Sequence, residues 1–146
     1  MAYGIDYEAK KATLFDEGTR KSNATSYASV AQAMVSVLRS PEEYGNKTLY
    51  IHDFNITQRE MLDIVESEIG TKFETTSMNL EEVGRKSLEA LARGERNPQN
   101  IFGGTRWAVW GKEGSGYWDE NDDSKRLGLE KKDLRAEIKK KIAMGL

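Results

Sequence analysis

From Lys10 to Gly94 the sequence alternates between two hydrophobic patterns, and this constrains the fold more than any single motif. Short β-favouring runs predict strands at Lys10–Asp16, Lys47–His52 and Phe73–Met78. Between and after them, apolar residues recur at helical spacing. The first set is Tyr27, Val30, Ala31, Met34, Val37 and Leu38, which predicts one buried stripe ending before Pro41. The second follows the capping box Thr57-Gln-Arg-Glu60 and stops at Gly70, and the third runs from an N-cap at Asn79 to Gly94. Strands alternating with amphipathic helices predict an α/β fold in which short parallel strands are joined by right-handed helical crossovers.

Past Asn97 the pattern becomes irregular: a helix near Ile101–Trp110, then Gly-rich and acidic residues as far as Ser124. A last helix is expected over about Glu130–Ile142, with Leu134 and Ile138 inward and Lys139 to Lys141 at its negative end. We read residues 1–9 as a short lead-in and 10–146 as one domain, since 146 residues suffice for one core.

Composition removes several kinds of chemistry. The chain has no Cys, which excludes disulfides, thiolate zinc sites and a Cys nucleophile. Its single histidine, His52, would have to serve any Ser-His-Asp arrangement, and no nucleophile partner is evident. A formal charge of −2 supplies no basic field for nucleic acid. The N-terminus has neither the basic nor the apolar part of a signal peptide. No apolar run approaches the roughly 20 residues of a membrane span. The expectation is a cytoplasmic protein that binds neither nucleic acid nor membrane, with the sequons at Asn23, Asn46 and Asn55 as chance matches.

Four local motifs were weighed against simpler readings. Tyr7 and Lys11 have Tyr-x-x-x-Lys spacing, but they run into a strand at the N-terminus, and we read them as coincidence. Gly111–Gly116 is Gly-rich, yet a phosphate-cradling loop follows a strand and opens a helix. This one precedes Asp119, Glu120, Asp122 and Asp123, whose charge repels phosphate. Asp119 to Glu130 matches most of a calcium-loop spacing but has Ser124 where the turn needs glycine, so we expect a solvated acidic loop. Trp107, Trp110 and Trp118, with Tyr117, fall within twelve residues. They are candidates for a ligand pocket or an interface, or for core packing where regular structure is sparse.

Residues 37–82 add a resemblance. Val37-Leu-Arg-Ser-Pro-Glu-Glu-Tyr-Gly-Asn-Lys-Thr-Leu-Tyr-Ile51 resembles a helix, turn and strand of the NmrA-like and isoflavone-reductase-like proteins. Thr57–Gly70 and Phe73–Glu82 resemble the elements that follow, and Leu127-Gly-Leu129 with Leu134 resembles the entry to their last helix. Members are atypical short-chain dehydrogenases with an NAD(P)-binding Rossmann half and a C-terminal part that shapes the substrate pocket. The resemblance implies that this chain is the C-terminal, substrate-side part only. No residue here then inherits a catalytic or cofactor-binding role, and the chain alone is expected not to catalyse. It further implies a small-molecule substrate, with Thr19–Thr25 and the 97–124 segment toward it, and so favours Trp107, Trp110, Tyr117 and Trp118 as pocket lining. Because the family holds both reductases and non-catalytic NAD(P) sensors, a regulator or partner module is the alternative. A strand edge left bare by the missing half would then invite self-association.

Overall fold

The computed structural model describes residues 2–112, 114, 116–119 and 121–144. The lead-in is built into the fold. After a 3-10 turn at Ala2–Gly4, β1 (Ile5–Asp6) pairs antiparallel with β2 (Lys11–Phe15). On its other side β2 pairs in parallel with β5 (Glu74–Met78), in the register Lys11↔Glu74 to Phe15↔Met78. This three-stranded sheet, in the order β1-β2-β5, contains two of the three expected strands.

The middle expectation is corrected. Lys47–His52 is extended but joins no ladder, and the strand is the next four residues, β4 (Phe54–Thr57). It pairs antiparallel with β3 (Lys21–Ala24), which lies outside the expected strands. The reason lies in hydrogen bonding. The Tyr50 carbonyl accepts from the Asp123 amide at 2.7 Å, and the Tyr50 amide donates to the Asp123 carboxylate at 3.0 Å. The Ser124 hydroxyl bonds both the amide and the carbonyl of His52. An acidic loop, rather than a neighbouring strand, thus satisfies this backbone.

Among the described residues, six helices follow local rules more closely. α1 (Tyr27–Arg39) is capped by Ser26, and α2 (Pro41–Tyr44) opens on its proline. α3 (Gln58–Ile69) starts at the complete Thr57/Glu60 capping box and ends on Gly70, whose φ of 72° is the left-handed value glycine tolerates. α4 (Leu80–Ala92), α5 (Pro98–Trp110) and α6 (Leu134–Ala143) have side-chain caps from Asn79, Asn97 and Asp133. No described helix is long and apolar enough to cross a membrane.

The α1 stripe is a second correction. Its buried residues are Ser29 and Ala33, whereas Tyr27 is 93% exposed, Leu38 74% and Met34 60%. The short residues face inward because Ser29 meets a buried carboxylate, Asp53, described below.

Two clusters form the core. Ile5, Ala12, Leu14, Leu62, Val65, Phe73 and Ile138 join the three-stranded sheet to α3 and α6. Ala33, Tyr44 and Leu127 gather Val37, Leu49, Ile51 and Leu129 behind α1. Gln58, fully buried at the start of α3, ties the lead-in to β2. Its amide nitrogen donates to the Tyr3 and Thr13 carbonyls, both at 2.6 Å, and its oxygen accepts from the Phe15 amide at 2.7 Å. α4 and α5 pack closely because glycines leave room: a Cβ on Gly84 would overlap the Trp107 ring.

Candidate functional site

Ligands of parallel α/β folds collect outside the carboxyl ends of the strands. Here those ends are Phe15 and Met78, and a cleft of about 440 Å³ opens beyond them. Its walls come from the turn after β2, the start of α4 and Lys112 after α5. The turn is held in place. Asp16 sits in the left-handed region with φ 53°, its amide donates to the Met78 carbonyl, and its carboxylate accepts from the Leu80 amide at 3.0 Å. The Gly18 carbonyl accepts from the Arg59 amide, and the Glu17 carbonyl from Arg59 Nε.

Glu81 contributes a carboxylate whose two oxygens are both committed. One accepts from the Lys112 amide at 2.9 Å and the other from Trp107 Nε1 at 3.0 Å. The Lys112 amide first, then the Trp107 indole, hold its carboxyl below the usual carboxylate range, with the charges of Lys112 and Arg20 adding to them. It therefore positions its neighbours and accepts no further proton near neutrality. Arg20 and Lys112 line the cleft as cations opposite Asp16, Glu17 and Glu81. Such a mixed lining can orient a polar small molecule.

The four aromatic candidates divide into two groups. Trp110 packs against Phe15 (ring centroids 5.0 Å apart) and edge-on to Tyr3 (5.4 Å), and its Nε1 donates to Ser22 Oγ at 3.0 Å. Trp107 lies against Gly84 and bonds Glu81. Both therefore back the cleft from behind, bracing Phe15 and Glu81. Trp118 instead packs on Tyr50, with centroids 5.6 Å apart, and its carbonyl accepts from Asn23 Nδ2 at 2.7 Å. Tyr117, 41% exposed, donates its hydroxyl to Asp119. Ser22 and Asn23 are successive residues of β3, so their side chains point to opposite faces, and the two aromatic groups are separated accordingly. The Asn23 amide also donates to the Gly116 carbonyl, which brings the 19–25 and 97–124 segments together.

A polar cluster at the N-terminus of α1 was not signalled by any motif. The Asp53 side chain, 1% exposed, accepts from the Ser26 amide at 2.7 Å and from Ser29 Oγ at 2.6 Å, with Lys132 Nζ at 3.5 Å. Burial pushes its carboxyl up, but the Ser29 hydroxyl, the Ser26 amide and hydroxyl and the Lys132 charge outweigh this and hold it below the usual range. Lys132 Nζ donates to Ser26 Oγ at 2.5 Å and Ser29 Oγ at 2.7 Å. An ammonium that only donates cannot activate Ser26 as a base would. The cluster tethers the segment before α6 to α1. Only the N-cap serine could have been read beforehand, because Lys132 lies 79 residues from Asp53.

His52 places Nδ1 3.7 Å from an Asp122 oxygen, while Ser124 bonds its backbone rather than its ring. No nucleophile is thereby aligned with it. Among the described residues no group of three or more His or carboxylate side chains is placed to hold a metal ion.

Gly111 caps the end of a helix, and a Cβ on Gly114 or Gly116 would meet the Val109 carbonyl, so these glycines serve packing against α5. At the start of α4 the Leu80 amide donates to Asp16 and the Glu82 amide to Asn79.

No family model matches the chain. Over 91 residues, 62% of the chain, it is 29% identical to the oxidoreductase aprR of Aspergillus flavus. Over 90 residues, 60% of the chain, it is 28% identical to the oxidoreductase poxI of Penicillium oxalicum. These matches cover 31% and 29% of the two fungal proteins, so the chain matches about a third of their length. It is a mixed α/β chain distantly similar to fungal oxidoreductases.

Proposed function

We propose that this chain is the substrate-side part of an NAD(P)-dependent oxidoreductase of the NmrA-like, isoflavone-reductase-like kind. In this reading the dinucleotide is held by residues outside the chain. The cleft at the carboxyl ends of β2 and β5 forms one wall of a small-molecule pocket, with Trp107 and Trp110 bracing it and Tyr117 and Trp118 completing the substrate side from the 116–119 segment. The chain alone performs no hydride transfer.

The supporting observation is the partial similarity to fungal oxidoreductases, in a chain whose own glycine-rich run is used for packing. Mapping the 5′ part of the transcript tests the reading. An open frame upstream encoding a strand followed by Gly-x-x-Gly-x-x-Gly is the expected result. A message that ends upstream without such a frame would remove the proposal.

A second reading, a module that associates through an apolar helix face and an open strand edge, is favoured by α1 and β5. Tyr27, Met34 and Leu38 project from a helix with a single charged residue, and Glu74 to Ser77 of β5 are exposed. Helices that are apolar on several faces are normally covered. Light scattering is expected to show a particle larger than one chain, reduced to a monomer by Leu38→Glu. A wild-type monomer at high concentration would exclude it.

A further inference from the structure

A cavity of about 380 Å³ lies between the lead-in, the β3–β4 ribbon and α6, away from the cleft walls described above. Its floor is hydrocarbon: Ile5, Phe54, Met61, Leu134, Ile138 and Ile142. Three of the hydroxyls along it are already used. Tyr3 bonds Ser22, Thr25 donates to the Ile51 carbonyl, and Ser26 accepts from Lys132 and from the Ser29 amide. The charged residues at its edge, Glu137 and Lys141, lie one turn apart on α6 and carry one charge of each sign. They give the opening no net preference for an anion or a cation.

The backbone at the cavity is also unusual. Tyr3 holds φ 61° and ψ 12°, a left-handed conformation that non-glycine residues adopt at a cost. Gln58 Nε2 on its carbonyl and Trp110 against its ring hold it there, and that conformation sets the Tyr3 side chain into the wall. Tyr7 lines the same space, and burial pushes its phenol up, so it remains a hydroxyl donor at all physiological pH.

We infer that this cavity is a binding site for a small, uncharged, mainly hydrocarbon molecule. Its volume is at the lower end of the range of ligand pockets, and its apolar walls with few polar groups are typical of them. The site needs no dinucleotide and is independent of the oxidoreductase reading.

N-phenyl-1-naphthylamine, an uncharged apolar fluorophore, tests the inference on the purified chain. Saturable emission enhancement at one probe per chain is expected. Ala24→Trp, from the β3 wall, and Ile142→Trp, from α6, should each weaken binding at least tenfold with unchanged far-UV circular dichroism. Met34→Lys, on the exposed face of α1, should leave it unaltered. If one wall variant does not fold, the other decides. Absence of saturable binding, binding indifferent to a folded wall variant, or binding abolished by Met34→Lys would overturn the assignment.

Discussion

Gln58 shows how much one side chain can hold. Its amide closes three backbone groups, from Tyr3, Thr13 and Phe15, which lie in two separate pieces of chain. Gln58→Leu keeps the volume but leaves these groups without partners, each at about 1–3 kcal/mol. A loss of about 3 kcal/mol or more is expected in urea unfolding, and a loss under about 1 kcal/mol would show that the lead-in is not anchored there. Asp53 gives a pH-dependent counterpart. Its folded carboxyl titrates below the unfolded value, so the unfolded chain takes up the proton first as pH falls. The stability it contributes is present above about pH 3.9 and is lost as pH falls through the depressed folded value. Between pH 5 and pH 2.5 the urea midpoint of Asp53→Asn should fall less steeply than that of wild type. Parallel curves would contradict the tether to Ser26, Ser29 and Lys132.

At the scale of elements, legibility in the sequence followed the range of the interactions. Thr57/Glu60 with Gly70, and Asn79 as a cap, mark α3 and α4 because capping is settled within four residues. Lys47–His52 has the composition of a strand, yet its partner is the Asp123–Ser124 loop more than 70 residues away, which no local pattern reveals. The α1 stripe reads as core-facing because periodicity identifies an apolar face without saying what covers it. Ser29 and Ala33 face inward instead, because the buried Asp53 requires a hydroxyl. The aromatic cluster was legible as a group but not as two groups, since the faces of β3 decide that. The α4–α5 pair carries a prediction of unusual sign. Gly→Ala inside a helix normally stabilises by roughly 0.5–1 kcal/mol. Gly84→Ala would instead push Trp107 off α4 and should destabilise by about 1–3 kcal/mol. A raised melting temperature would show that the two helices do not pack through this glycine.

For the whole molecule, the two core clusters and the tether at Lys132 hold a mixed α/β body together, while one helix face and one strand edge stay open. The candidate cleft was legible only in part. β3 brings residues 19–25 against segment 97–124 through Asn23. Arg20, Glu81 and Lys112 carry no motif and become neighbours only through the parallel pairing of β2 with β5. In the proposed function this body shapes a substrate pocket and leaves the dinucleotide to residues outside the chain. Titration calorimetry of NADPH into the 146-residue chain measures this most directly. The account predicts no saturable heat up to millimolar NADPH, and saturable binding at micromolar NADPH would contradict it.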